Sequence, residues 1–461
     1  MNADPRTSHI AARLAERLRD EWQRPVTVTD IEPVSIGASK AIWRFVAASP
    51  GNDPSRLVLR ADPVEAPRPE RMALEVAVLT AAHAEGVPVP AVVTSGADNG
   101  IGSPHVIMDC VEGETLPQRI LRDPAVHADP RTLTRELGAA IATVHRIPAD
   151  KIGLPHLDDI ASIEDQYRRG EASPAMELGW QWLRKNPPTR HEPVVVHGDF
   201  RHGNVIVRDG HLAAVLDWEL AHVGDPLEDL GWICTKAWRF GGAPPVGGFG
   251  DVADLLDGYA SIAGWRPAER DVLWWSVYGS IRWGVMCRRQ AARHLEGDEE
   301  SLELALIGRR LAENEFDVLI ALGLADPGSD VVGEPSVGRF QTANTMFGSP
   351  TATEILDAVV SERSSSTEYR DRLLRNALNV VSREITDGPR HERALSRALK
   401  RAGHETETAL AEALRTGAIL SEEIVTAVRV GVEGRLSVWN PKYLAYPAPT
   451  DTFRIISSAT T

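Results

Sequence analysis

The sequence predicts an α+β protein: an antiparallel sheet with one helix at the N-terminus, a mostly helical middle and an all-α C-terminal domain. Three observations carry that expectation. Short β-rich runs fill the first 110 or so residues, and apolar residues recur at helical spacing beyond them. Three brief apolar runs interrupt the helical pattern between residues 193 and 216. Gly328, Gly333, Gly338 and Gly348, with Pro327, Pro335 and Pro350, then break every period and mark a linker. At ~150 residues per domain, a chain of 461 residues also leads one to expect about three domains or lobes.

In order, residues 10–20 read as a helix. Residues 26–36, 41–47 and 56–61 read as strands, with a turn of small residues, Ser35 to Lys40, between the first two. Met72, Val76 and Leu79 recur at helical spacing through residues 69–83, with Glu75 among them, and Pro88 and Pro90 stop that helix. Two more strand-like runs end in His105-Val106-Ile107-Met108. Helices are expected at 132–145, 180–185, 271–293 and 301–322. The runs 193–196, 204–207 and 212–216 are strands, and Asp209-Gly210 turns the last two into a hairpin. Beyond the linker, residues 353–438 are helical in pattern, until Asn440-Pro441, Pro447 and Pro449 end it. The domains expected are thus 1–113, 114–324, a linker at 325–350, and 351–461. No repeat of solenoid period is present.

Composition narrows the function. A net charge of −15 argues against a phosphate-backbone partner, so no nucleic acid is expected. Cys110, Cys234 and Cys287 are far apart and odd in number, which suggests neither a disulfide framework nor a cysteine-based zinc site. The first 24 residues lack an apolar signal core, and no run reaches ~18 apolar residues. A soluble, cytoplasmic protein without a membrane partner is expected.

The informative segment is V-V-V-H-G-D-F-R-H-G-N-V-I-V, residues 194–207, continuing to L-D-W-E at 216–219. A strand delivers a His-Gly-Asp turn. Asn204 follows Asp199 by five positions, and Asp217 follows Asn204 by thirteen. Phosphoryl transfer needs a carboxylate to orient the attacking hydroxyl and take its proton. It also needs hard oxygen ligands for magnesium. The protein-kinase pattern H-R-D-x-x-x-x-N, followed by a metal-binding Asp, has this spacing, with Gly198 here in place of Arg. Asp199 is therefore the candidate base, and Asn204 and Asp217 the candidate metal ligands.

The longer phrase, H-G-D-F-R-H-G-N with L-D-W-E and G-D-P-L-E-D-L-G, resembles the aminoglycoside phosphotransferase family of choline-kinase-like small-molecule kinases. The resemblance runs from about residue 33 to 322 and implies the protein-kinase-like two-lobed fold. It implies an ATP- and magnesium-dependent transfer to a small-molecule hydroxyl, with GTP open as the donor. By position, Gly37 and Ser39 fall in the nucleotide-covering loop. Arg60 takes the place of the phosphate-pairing Lys, with Glu75 as its helix partner. Asp109 and Val111 fall at the hinge, where the main chain would bond the base. Arg201 is a candidate to approach the transferred group, with a solvent-facing side chain as the alternative. Helices of the second lobe build the acceptor pocket in the family, so Trp275, Arg282 and Trp283 are candidates to line it; helix packing explains any one of them as well.

The wording around L-D-W-E also resembles the kinase-like portion of acyl-CoA dehydrogenase fusions. That favours a metabolite hydroxyl as acceptor, with acyl and acyl-CoA compounds among the candidates. Residues 351–446 resemble a small helical domain of unknown function found beside such kinases, read as a docking or regulatory bundle. Arg60 and the glycine-poor loop keep an alternative open, a non-catalytic nucleotide-binding scaffold or sensor. A protein kinase fits less well, because no A-P-E signature follows Asp217.

Other residues read structurally. Asp225-Pro226 is a helix N-cap with Pro at the first position. Asp229 either braces the catalytic loop or is an ordinary helix carboxylate. His145 reads as a core-edge residue and His197 as a structural hydrogen-bonding group. A zinc site from His191, His197 and His202 lacks a recognised ligand spacing. Oligomeric state is open.

Overall fold

The computed structural model describes residues 5–36, 41–64, 67–98, 101–328, 346–361 and 367–445. Gly37, Ser39 and linker residues 329–345 lie outside them. The chain divides into two compact units, each drawing on three stretches. The first comprises Met1–Leu157, Arg190–Leu230 and Ala253–Pro267; the second comprises Asp158–Thr189, Gly231–Val252 and Ala268–Thr461.

In the first unit, β1 (Thr27–Ile36), β2 (Ala41–Ala48), β3 (Ser55–Ala61), β4 (Val92–Gly96) and β5 (His105–Asp109) form one antiparallel sheet in the order β1-β2-β3-β5-β4. Strand periodicity sends alternate residues to opposite faces. Trp43, Phe45, Leu57 and Leu59 pack on Leu14 and Leu18 of the helix Pro5–Trp22. Val58 faces the other way, toward Met72 and Val76 of the helix Pro69–Ala84. The sheet is therefore covered on both faces, by the helices expected at 10–20 and 69–83. Arg60, two residues from Val58, shares its face, so the alternation of β3 aims this arginine at Glu75.

After the hinge, the five-stranded sheet gives way to two small ribbons. β6 (Val194–Val196) pairs with β9 (His222–Gly224), and β7 (Val205–Arg208) pairs with β8 (His211–Val215). Asp209 and Gly210 turn the hairpin with φ of 53° and 81°, the left-handed pair that tight hairpins require. β9 escapes sequence reading because it is three residues long and partly polar. A bridge between Glu114 and Val207 docks the hinge on this hairpin, through main-chain bonds of 2.8 and 3.0 Å.

The second unit is helical. Its core joins Ala175 and Leu178 (helix Pro174–Lys185) and Phe316 and Leu319 (helix Leu311–Ala321) to residues of the C-terminal helices. Leu395 and Leu399 come from Thr367–Arg401, Leu410 from Glu407–Arg415 and Leu436 from Glu422–Trp439. Ion pairs reinforce that core: Arg435 with Glu315 at 3.0 Å and Glu407 at 2.8 Å, and Arg415 with Glu177 at 2.7 Å. The helix expected at 301–322 is two, Leu302–Gly308 and Leu311–Ala321. At the break, Arg309 turns inward to the carbonyls of Phe347 and Pro350 and to Glu384.

Candidate active site

The turn after β6 is built around Gly198. Its φ is +78°, and a Cβ there would stand 2.4 Å from the carbonyl oxygen of Leu220. Only glycine fits that backbone and that approach. Asp229, in the helix Leu227–Cys234, accepts the main-chain N–H of His197 at 2.7 Å and of Gly198 at 2.9 Å. His145 Nε2 stands 3.4 Å from the same carboxylate, and its Nδ1 meets Tyr259 Oη at 3.0 Å. Asp229 is fully buried. Burial opposes its ionisation, yet His145 and the His197 N–H hold its pKa below the ordinary value. Of the two sequence readings, the brace is the one observed. Asp225 caps the same helix, accepting Leu227 N–H at 2.9 Å.

His197 is structural. Its Nε2 bonds the carbonyl of Leu216 at 2.9 Å, so Nε2 carries the proton and Nδ1 is free to accept the Asp199 N–H at 3.2 Å. The ring packs edge-on to Phe200 and tilted on Trp218.

Asp199 and Asn204 meet directly. Asn204 Nδ2 donates to Asp199 Oδ2 at 2.7 Å and to its carbonyl at 2.9 Å. With the amide nitrogen so engaged, the carboxamide oxygen points away from Asp199. Arg201 Nε bonds both oxygens of Asp199, at 3.1 and 3.3 Å. Leu216 N–H donates to Asn204 O at 2.8 Å, which ties the Asn204 turn to the residue before Asp217. Asp217 has φ +62° and ψ +66°. Asp tolerates this left-handed conformation better than most side chains, at a cost of about 1–3 kcal/mol.

Asn204 and Asp217 line a cavity of about 800 Å³ that also receives Arg60, Glu75, Asp109 and Val111. Arg60 Nη2 donates to Glu75 Oε2, and both side chains are buried. Burial lowers the Arg60 pKa, against the opposing pull of Asp217, Glu219 and Asp62. At the hinge, the Asp109 N–H is already given to Ala91 O at 2.9 Å and that of Cys110 to Arg56 O at 3.0 Å. A base bound there would have to use other main-chain groups, the Val111 N–H among them. Val58, Met108, Ile206 and Val215 supply apolar walls. Glu219, also in the wall, was not singled out in the sequence; its place two residues after Asp217, on the same turn, was the available signal.

Among the described residues no group of three or more His, Cys, Asp or Glu gathers as a metal site. Asp217 and Asn204 present a carboxylate and a carboxamide to one cavity, two hard oxygens of the kind magnesium takes alongside water and phosphate. The donor set fits that ion.

Trp275, Arg282 and Trp283 lie in the second unit, on the helix Glu269–Leu295. Trp275 packs on Trp274 and Tyr278, and Trp283 on Trp238. Arg282 bonds Asp159 at 3.1 Å and lies over the Trp232 ring.

The sheet, hinge, turn and cavity are those of a kinase-like phosphotransferase fold. The sequence model of the phosphotransferase enzyme family matches residues 30–265, just over half of the chain, and the chain belongs to that family. A domain of unknown function, DUF6285, matches residues 361–443. The chain is 32% identical over 215 residues to acyl-CoA dehydrogenase family member 10 of Mus musculus, covering 42% of this chain and 20% of that protein. It is 30% identical over 300 residues to acyl-CoA dehydrogenase family member 11 of Gallus gallus, covering 58% and 38%. It thus spans between a fifth and two-fifths of the length of these relatives. A crystal structure from Ralstonia eutropha JMP134, assigned as an aminoglycoside phosphotransferase, matches with a TM-score of 0.52 at 24% identity, over 67% of this chain and 96% of that one. That likeness establishes the fold. No helix among the described residues is long and apolar enough to cross a membrane.

Proposed function

We propose that the chain is an ATP- and magnesium-dependent phosphotransferase that moves the γ-phosphoryl group to a hydroxyl of a small molecule. One observation carries the reading: Asn204 bonds Asp199 while sharing a cavity with Asp217 and with the Arg60–Glu75 pair. Asp199 accepts the proton of the acceptor hydroxyl as its oxygen bonds to phosphorus and the bond to the nucleoside diphosphate breaks. Arg201, bonded to Asp199, orients that carboxylate and stands ready for the charge on the transferred group. Glu75 holds the Arg60 guanidinium toward the cavity, where it grips phosphate oxygens. Asn204 and Asp217 would hold magnesium, which neutralises charge on the polyphosphate when bound. Gly37 and Ser39 belong to the covering loop in this reading, and Asp109 and Val111 to the base site.

The names of the relatives favour an acceptor hydroxyl on an acyl or acyl-CoA metabolite, and Trp275, Arg282 and Trp283 are the proposed lining of its pocket. The test is a phosphate-transfer screen over metabolites that co-purify with the protein, run on wild type, Asp199→Asn and Asp217→Asn. Asp199→Asn should lower kcat by roughly 10²–10⁴ with little change in nucleotide affinity. Asp217→Asn should raise the magnesium and nucleotide concentrations needed. Near-normal turnover by Asp199→Asn would remove its role as base.

A further inference from the structure

The second unit buries a cation that, among the described residues, no carboxylate bonds. Arg239 closes the turn Lys236–Arg239 and is 3% exposed. Its Nη2 donates to the Cys234 carbonyl at 2.9 Å, but Nε and Nη1 are buried without an acceptor. Such orphaned charged donors are costly to keep, and native proteins keep few of them.

The charged neighbours are already committed. Asp317, which acts on Arg239 electrostatically, bonds Lys236 Nζ at 2.9 Å and Tyr443 Oη at 2.7 Å. Glu313, which acts on Lys236, bonds Arg310 at 3.0 Å and accepts Trp439 Nε1 and Asn440 Nδ2 at 2.9 Å. Lys236 with Asp317, and Arg310 with Glu313, balance one another, which leaves Arg239 as the excess positive charge. Burial pulls its pKa below the ordinary arginine value, against the weaker opposing pull of Cys234, Asp317 and Tyr443. Beside it, Trp238 packs at a tilt between Trp232 and Trp283, and the Trp283 indole N–H is also buried without an acceptor among the described residues.

We propose that Arg239 is the receptor of an anion-binding site in the second unit, taking a carboxylate or phosphate group of a ligand on its unpartnered nitrogens. Gly242 N–H bonds the Arg239 carbonyl at 2.8 Å, and a Cβ on Gly248 would stand 2.3 Å from the same oxygen. These contacts fall on the main chain of Arg239 and leave its Nε and Nη1 without a protein acceptor among the described residues. The site stands whether or not the first unit transfers phosphate.

The test is the melting temperature and calorimetric titration of the full chain with inorganic phosphate and, separately, with acetate, in wild type and Arg239→Met. The wild type should be stabilised by at least one of the two, and the anion that acts tells a phosphate site from a carboxylate site. Arg239→Met should weaken that binding at least tenfold and melt higher than wild type in anion-free buffer. Equal anion binding in both proteins, or no response of wild type to either anion, overturns the proposal. Should Arg239→Met fail to fold, crystals of wild type soaked in each anion decide: density against Nε or Nη1 upholds the site, and its absence in both soaks overturns it.

Discussion

Asp229 holds His197 by its main chain: the carboxylate accepts the His197 N–H at 2.7 Å and the next N–H at 2.9 Å, while His145 approaches from behind. The side chain that fixes the Asp199 turn thus comes from a helix thirty residues further along. Each oxygen accepts one of those N–H groups, so Asp229→Asn sets a donor against one of them. Urea unfolding should show a loss of about 3 kcal/mol, and the variant should lose turnover even where it remains folded.

Arg60 and Glu75 form a buried pair with its own balance. Arg60→Met leaves an uncompensated carboxylate and should cost roughly 3–5 kcal/mol. The double variant Arg60→Met, Glu75→Met should recover most of that stability in the same unfolding experiment. It should not recover nucleotide binding, measured by calorimetric titration. Recovery of both would mean that Arg60 serves packing alone.

Gly198→Ala puts a Cβ against the Leu220 carbonyl at a φ of +78°. A loss of about 2 kcal/mol or more is expected from backbone strain and that contact. Because the strain sits one residue before Asp199, kcat should fall further than the melting temperature alone would explain.

His391 gives an acid-side signature. It lies against Gly434, and its Nε2 meets Ser437 Oγ at 2.8 Å. Burial, with Arg390 beside it, lowers its pKa from 6.5 to about 4. As pH falls below 6.5 the unfolded chain takes up a proton that the folded chain refuses until about pH 4. Stability is therefore fully present above that window and declines through it, by roughly 3 kcal/mol at the lower end. Denaturant midpoints measured from pH 7 to 4.5 should fall for wild type, and less steeply for His391→Gln.

The candidate turn around Asp199 was legible in the sequence because its pattern is local. Asp199, Asn204 and Asp217 stand at fixed spacings on a strand, a turn and a hairpin, each with its own pattern. Arg60 and Glu75 were legible by position, and strand alternation explains why they meet. The Asp229 brace stayed open because a helix carboxylate looks the same whether it faces water or two buried N–H groups. The inward turn of Arg309 and the ties of Arg435 to Glu315 and Glu407 had no signal at all, since such partners lie 28 to 120 residues apart. Apolar spacing marks which face of a helix is buried, and says nothing of which helix covers it.

Phe316, Leu319 and Leu178 are sealed by Leu395, Leu410 and Leu436, with Arg435 and Arg415 pinned to carboxylates across the same seam. What the sequence presents as an appendage is therefore half of a wall. Cutting it away would wet the helices that remain, and the excised piece would be sticky for the same reason. Heat should find no border to open between them: the helices on either side of the linker ought to be lost in a single endotherm.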